Sequence, residues 1–563
     1  MGKAEGESHA DAGGRLVSRG YKVLDEQRHT VNYGLSVWGD YFIQNPTLPH
    51  THENSLEWMT QRRDELILES SVKLNSLCDS VAEMNMIDAL QRLGVSYHFK
   101  EEIDLKLQKL STEKLKRENL HDISLQFRLL RQDRFYMSSD VFKSFMDEQA
   151  NFMDIHKTDI RAMLALYEAS HLATPDEQFL KDAQKQTMSL LESMVEHLEK
   201  KIAGKVKHAL ETPSFRRMKR LEARLYIPLY EEDKDECCQM ILELAKLDFY
   251  LLQRLHREEV REISEWYYGL ESPCKLYYAR HRPVESYFWA LGVYFEPQFA
   301  KARMLLAKYV ATITPYDDTI DNYGVWEELQ PFADVMQRWD ADDAEQLGEC
   351  YKDYARFMFG TTKEIENALP KDTSTRNVIF IKDMTNQVCK GYMTEIVWRD
   401  SNYIPSLEEH LKVTTITSFY WAMTCVSFIV TEERVTNDIL EWMSMFPQVI
   451  KDSCIICRVM ADIVAHQLET ERNNVATAVT CYMKENGTTE DVATKALSDI
   501  VENAWISMNK EYLTMNSIPS SLYMHAINLA RMMETMYKGN DAYTDSAMLK
   551  KQIAMLVDKP LTF

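Results

Sequence analysis

Glycine and proline are both in short supply. The 563 residues include 17 glycines and 15 prolines, where average usage is roughly 7% and 5%. Such scarcity argues against a phosphate cradle built from backbone amides, and neither a Walker loop nor a G-x-G-x-x-G element occurs. Positive charge is also lacking. A net charge of −22 argues against nucleic acid as a partner. It leaves anionic small molecules open, because a local cluster of cations or metals overrides the global balance. No long apolar run is present. The longest uncharged stretch, residues 413–431, holds seven Ser or Thr, so it reads as a buried helix and not a membrane span. The ten cysteines are scattered and no secretory signal precedes them, which predicts reduced, cytosolic thiols. "CIIC" (Cys454 to Cys457) has half the spacing of a zinc site, without a second pair, and reads as a packed helix face. The first 20 residues are polar and lack an apolar core, and Gly2 has no Ser or Thr at the sixth position, so neither a leader nor myristoylation is expected.

What is present is helical periodicity. Few breakers and apolar residues at three- and four-residue steps predict an all-α protein. A polar tail covers residues 1–20, and helical patterns then run to about residue 230. The charge run "YEEDKDEC" (Tyr230 to Cys237) reads as a solvated linker. A long amphipathic helix beginning "QMILELAKLD" follows it. These features divide the chain into two helical domains, residues 21–235 and 236–563.

The sharpest local signal is "DDTID" at Asp317, Asp318 and Asp321. On a continuing helix, Asp317 and Asp321 share a face, with Asp318 turned about 100° away. Like charges so placed destabilise a helix by a few tenths of a kcal/mol per pair, and Pro315 invites a kink. The pattern is poor as structure alone. It suits Mg²⁺, a hard cation that takes carboxylate oxygens and leaves positions for phosphate; a solvated acidic helix end is the plainer reading. Upstream, Arg280 and Arg282 flank His281 in "YYARHRP". Guanidinium groups bind phosphate through paired donors and keep their charge. Acids for a cation together with arginines for phosphate imply a diphosphate substrate.

"RHRPVESYFWALGVYFEPQFAKAR", "DDTIDNYG" and "QRWD" occur in that order, after "RHTVNYGLSVWGDYF" (Arg28 to Phe42), "LQRLGVSYHFKEEID" and "FRLLRQDRFYMSSDVFKSFMDE". Over nearly its whole length the chain resembles the plant class I terpene synthases, most closely the cytosolic sesquiterpene synthases. The resemblance implies an N-terminal, non-catalytic α-barrel-like domain and a C-terminal catalytic α-bundle of the isoprenoid-synthase type. It implies a lyase of plant secondary metabolism that ionises farnesyl diphosphate and cyclises the cation to a C15 product. Three Mg²⁺ ions are expected, with Mn²⁺ as the alternative metal. The implied catalytic set is Asp317, Asp318, Asp321, Arg280 and Tyr543. Asp317 and Asp321 would carry metal, and Arg280, Arg282 and Arg458 would hold diphosphate. Trp289 matches the family's cavity tryptophan. Phe419 and Tyr420 fall in the uncharged helix, and Tyr537, Asp541 and Tyr543 in "YKGNDAYT" resemble the capping loop; each aromatic also reads as core. The family's tandem arginine is reduced to Arg28-His29, with little sequence before it, which favours a cytoplasmic enzyme. A monomer with a small-molecule partner and no membrane span is expected. "DADD" (Asp340 to Asp343) mimics the acid of protonation-initiated cyclases, but reads as a polar helix start.

The departure lies in the second metal motif. Arg458 and Glu469 in "CRVMADIVAHQLETER" fix its register, and its three ligand positions become Ala461, Ala465 and Glu469. Asp462 lies within about 20° of Glu469 around the helix and is the substitute ligand expected here, unless water fills the gaps. His466 is expected on the helix surface. The departure keeps a second reading open, a weak or inactive homologue that binds isoprenoid diphosphate. A chain-elongating prenyltransferase would normally need a second aspartate-rich motif, which residues 458–472 do not supply.

Overall fold

A computed structural model describes residues 33–48, 55–113, 119–146, 158–431, 435–472, 476–515 and 518–561. Arg28 and His29 lie outside them. Every regular element among the described residues is a helix. The helices that frame the argument are α1 (Leu56–Ser76), α2 (Lys219–Glu232), α3 (Gln239–Gly269), α4 (Pro283–Val293), α5 (Ala300–Asp318), α6 (Ser374–Asp400), α7 (Leu407–Thr417), α8 (Tyr420–Ile429), α9 (Gln448–Arg472), α10 (Ala478–Asn486), α11 (Glu490–Thr514) and α12 (Ser520–Met536). None is long and apolar enough to cross a membrane.

The start signals in the sequence are used as caps. Ser55 caps α1 by accepting from the Trp58 N–H, Ser406 caps α7 through Glu409, and Pro283 opens α4, where its missing N–H costs nothing. Asp340 accepts from the N–H groups of Asp342 and Asp343, so "DADD" is the polar helix start expected of it. Cys454 and Cys457 are buried on α9 as free thiols.

The long helix α3 joins the two halves. It packs on α1 on one side and on α4 and α5 on the other. Arg62 of α1 grips both oxygens of Glu243 on α3, at 2.9 and 3.0 Å. Further across the junction, Arg216 forks onto Glu502 of α11 at 2.5 and 2.7 Å. The Asn509 amide donates to the carbonyls of His171 and Ala173. One apolar core runs through both halves.

Two expectations are corrected. The charge run at 230–237 does lead from α2 to α3 with Lys234, Asp235 and Glu236 exposed, but it is tied down and not free. Tyr230 lies within α2 and its hydroxyl accepts from the Cys238 N–H at 2.9 Å, while buried Asp233 meets Lys205 at 2.7 Å. The uncharged stretch at 413–431 is buried, but it is not one helix. It breaks after Thr417, and Phe419 takes φ +60° before α8 begins. The hydroxyls of Thr414, Thr415 and Ser418 bond back to carbonyls of the preceding turn, an arrangement that bends helices. Arg458 and Tyr392 then draw off the carbonyls of Thr414 and Thr417.

Candidate active site

Helices α4, α5, α6, α7, α8 and α9, with the segment from Tyr537 to Thr544 after α12, surround one cavity. Its acid wall comes from α5. The α-helix ends at Asp318, and residues Thr319–Tyr323 form a wider π turn closed by the Gly324 N–H on the Thr319 carbonyl at 2.8 Å. The π turn replaces the regular helix expected here, yet Asp317 and Asp321 both reach the cavity. Asp318 does not. It is fully buried behind them and accepts from the Arg280 backbone N–H at 2.6 Å and from Nε at 2.9 Å. Arg280 continues through Nη2 to Asp317 at 2.6 Å and through Nη1 to Thr544 at 3.0 Å. In this arrangement Asp318 orients Arg280 and has no face on the cavity.

Two carboxylates at this end each keep one oxygen without a partner. Asp321 Oδ1 and Glu395 Oε1 are buried without a hydrogen bond. Burial, then the charges of Asp317, Glu395 and Glu469, push the Asp321 carboxyl well above its ordinary range. Burial also raises Glu395. Like charges crowded away from water mark a site short of positive charge. The donor chemistry, several carboxylate oxygens with unspent lone pairs, fits a hard divalent cation. Among the described residues no three His, Cys, Asp or Glu side chains are drawn together as finished metal ligands; Asp317 is turned onto Arg280 and Tyr392.

The opposite wall is α9. Ala461, Ala465, Leu468 and Glu469 line it, so the two alanines place methyl groups where the motif would place oxygens. Asp462 also lines it, but both its oxygens are occupied. Oδ2 accepts from His410 Nε2 at 2.8 Å and from the Ala478 N–H at the start of α10 at 2.6 Å; Oδ1 faces Arg458 at 3.4 Å. Burial opposes its charge, yet the His410 bond and Arg458 prevail and hold its carboxyl below the ordinary range. In this arrangement Asp462 anchors the wall and does not substitute for a ligand. His466 is buried, not on the surface, and meets Thr477 at 2.9 Å. Arg458 faces the cavity and is held by the Thr414 carbonyl at 3.0 Å.

Away from the acids the cavity is aromatic. Trp289, Phe419, Tyr537 and Tyr543 line it, with Val310, Ile313 and Met423. The Trp289 and Tyr543 rings meet edge to face at 4.9 Å. The Tyr543 hydroxyl pairs with Thr314 at 2.5 Å. Tyr420 stands behind this lining and not in it. Its hydroxyl accepts from Trp289 Nε1 at 3.1 Å and donates to the Leu529 carbonyl at 3.0 Å. Asp541 lines the cavity and turns the capping loop by accepting from the N–H groups of Tyr543 and Thr544.

The substrate-binding expectation for Arg282 is corrected. It is 2% exposed and donates to the carbonyls of Gly34 and Thr544, each at 3.0 Å, and of Tyr543 at 3.3 Å. It ties the segment around Gly34 to the capping loop and leaves no face for phosphate. Glu395, Tyr392, His410 and Tyr33 are cavity or near-cavity residues that sequence reading missed. Glu395 and Tyr392 are isolated positions on α6, His410 is a lone histidine on α7 and Tyr33 precedes the described helices, so no local pattern marks them.

Carboxylates and two guanidiniums at one end, and an aromatic pocket at the other, form an apparatus for parting an anion from a hydrocarbon. The comparisons with known proteins agree. The "Terpene synthase, N-terminal domain" family matches residues 37–210, and the "Terpene synthase family, metal binding domain" matches residues 269–507. Beta-eudesmol synthase of Zingiber zerumbet is 37% identical over 530 residues, 94% of this chain and 95% of its own. (-)-Germacrene D synthase of Vitis vinifera is 37% identical over 536 residues, 94% and 96% of the two chains. Among solved structures, limonene synthase with 2-fluorolinalyl diphosphate superposes with a TM-score of 0.90 at 28% identity, covering 95% of this chain and 100% of its own. Grey poplar isoprene synthase, with three Mg²⁺ ions and dimethylallyl-S-thiolodiphosphate, gives 0.84 at 29% identity over 90% and 98%.

The chain belongs to the terpene synthase family. It has the class I terpenoid cyclase fold, an N-terminal helical domain joined to a C-terminal isoprenoid-synthase bundle, and is an enzyme of the class that acts on prenyl diphosphates.

Proposed function

We propose that this enzyme is a Mg²⁺-dependent sesquiterpene synthase that ionises farnesyl diphosphate and cyclises the allylic cation. The observation that carries the reading is the polarity of a single cavity. Asp321 and Glu395 hold unpartnered buried oxygens at one end, and Trp289, Phe419 and Tyr543 enclose the other. Relatives named as sesquiterpene synthases support a C15 substrate. We assign catalysis to residues 236–563, with residues 21–235 as a non-catalytic support and the reaction placed in the cytoplasm.

Asp317, Asp321 and Glu395 would hold cations on one wall and Glu469 on the other. When bound, Mg²⁺ supplies Lewis-acid pull on the diphosphate oxygens. Arg280 and Arg458 face the same end and bind the departing anion. The aromatic lining keeps water from the cation and offers it ring faces. Burial raises the Tyr543 phenol, so it stays protonated in the cavity lining. Asp541 fixes the loop that carries Tyr543 over the cavity. A reading without turnover gains nothing from relatives that are named as synthases.

The test is incubation with farnesyl diphosphate in Mg²⁺, Mn²⁺ or EDTA, followed by gas chromatography–mass spectrometry. A metal-dependent C15 product is expected. Silence in both metals, with geranyl and geranylgeranyl diphosphate also inert, overturns the proposal.

A further inference from the structure

The α9 side of the cavity contains a nitrogen with nothing to bind. His410 on α7 is 1% exposed and lines the cavity. Its Nε2 lies 2.8 Å from Asp462 Oδ2, and its Nδ1 is buried without a hydrogen-bond partner. The partner fixes the tautomer. Asp462 also accepts from the Ala478 N–H and faces Arg458, so it is a carboxylate that can only accept, and Nε2 must carry the proton. In the ring's neutral form the lone pair is then on Nδ1. One nitrogen donated to a carboxylate and the other left bare is how metal-binding histidines are held.

The surroundings point the same way. Glu395 on α6 is close enough for His410 and Asp462 both to act on its carboxyl, and its own Oε1 is unpartnered. From α9 come Glu469, Arg458 and the methyl groups of Ala461 and Ala465; from the start of α10 comes Thr477. The cavity lining that lacks two oxygens on α9 therefore includes a histidine with one unpartnered nitrogen.

We propose that His410 Nδ1 is a ligand for the divalent cation on the α9 side of the cavity, serving with Glu469 where Ala461 and Ala465 offer no donor. The inference rests on the diphosphate-ionising reading above. Mg²⁺ strongly prefers oxygen, whereas imidazole suits first-row transition ions, so this side of the site favours Mn²⁺ over Mg²⁺.

The experiment loads the full chain with Mn²⁺ and inorganic diphosphate and records electron spin-echo envelope modulation. Nitrogen-14 modulation is expected. It should convert to the nitrogen-15 pattern in protein grown with labelled histidine, which requires no substitution. It should vanish in His410→Gln, or in His410→Asn if the first variant does not fold, with Mn²⁺ binding about tenfold weaker. Absence of nitrogen coupling in the unaltered protein overturns the proposal, as does coupling that persists in a folded variant. It is equally overturned if metal-free diphosphate binding depends on His410 without any coupling, since the ring then acts as a proton donor. Turnover in the same preparation separates the two levels. A C15 product without coupling sinks this inference alone, and no product in either metal sinks the reading beneath it.

Discussion

The two walls of the cavity make the same kind of surface in opposite ways. The α5 wall has charge in excess: Asp317 and Asp321 face in, Asp318 stands behind, and Glu395 adds a fourth carboxyl from α6. The α9 wall has charge in deficit. Ala461 and Ala465 face in, and Asp462 spends both oxygens on His410, Ala478 and Arg458. Identical side-chain types therefore do different work. On α5 an aspartate is left short of partners and awaits a cation. On α9 an aspartate is saturated and builds the wall. Counting acids along the sequence cannot separate these cases, but counting their hydrogen bonds can.

The largest effect should come from the charged wall. Asp317→Asn removes a cavity carboxylate while keeping its shape, so kcat on farnesyl diphosphate should fall on the order of 10²- to 10³-fold with little change in Tm, by analogy with loss of one preorganised electrostatic group. Asp318→Asn should do the reverse in kind. It weakens one of the two carboxylates that hold Arg280, Asp317 remaining at 2.6 Å, and thermal unfolding should show a stability loss of about 2 kcal/mol. Equal losses of activity and equal stabilities in the two variants would erase the distinction between a cavity acid and a positioning acid.

The second prediction refills the other wall. Ala461→Asn with Ala465→Ser returns two oxygen donors to α9. Charge-assisted contacts are worth roughly 1.5–3 kcal/mol, so the Mg²⁺ concentration for half-maximal turnover should drop about tenfold or more. The preference for Mn²⁺ should narrow at the same time. Unchanged metal titrations would mean that this wall does not meet a cation.

This contrast also explains what the sequence could disclose. The helices, the arginine segment and "DDTID" were legible because period and spacing are local properties. The roles of Arg280 and Arg282 were not separable. They sit two residues apart with the same charge, and only the carbonyls of Gly34, Tyr543 and Thr544, brought from both ends of the chain, commit Arg282 to structure. Phe419 was placed in the right cavity but in the wrong backbone. The break beside it arises from carbonyls claimed by Arg458 and Tyr392, which are distant in sequence. Glu395 and His410 were invisible for the same reason.

Arg282 gives the third test. Arg282→Ala leaves three carbonyls without their donor and loosens the capping loop, at a cost of about 2 kcal/mol in chemical denaturation. KM should rise more than kcat falls if the loop chiefly retains substrate. Arg282→Lys keeps the charge but not the fork, and should recover only part of the loss. A selective collapse of diphosphate binding with unchanged stability would instead return Arg282 to the substrate set.

The smallest effect isolates burial from crowding. Asp452 lies on α9 outside the cavity, 2% exposed, with Oδ2 unpartnered and Oδ1 accepting from Gln448 at 2.7 Å. Burial pushes its carboxyl up to about 7. The folded state therefore holds a proton that the unfolded chain releases near pH 4. The native state binds more protons across that window, so stability is full below pH 4 and falls as pH rises towards 7, at no more than about 1.4 kcal/mol per pH unit from this group. Asp452→Asn fixes the neutral form and should flatten that part of the Tm profile between pH 5 and 7. Added Mg²⁺ should leave the Asp452 contribution untouched, because a lone buried acid offers a cation one ligand and no open cavity. If Mg²⁺ moves the difference between Asp452→Asn and the parent protein, the cation is acting through α9 as a whole, and the separation between its saturated wall and its distant acid fails.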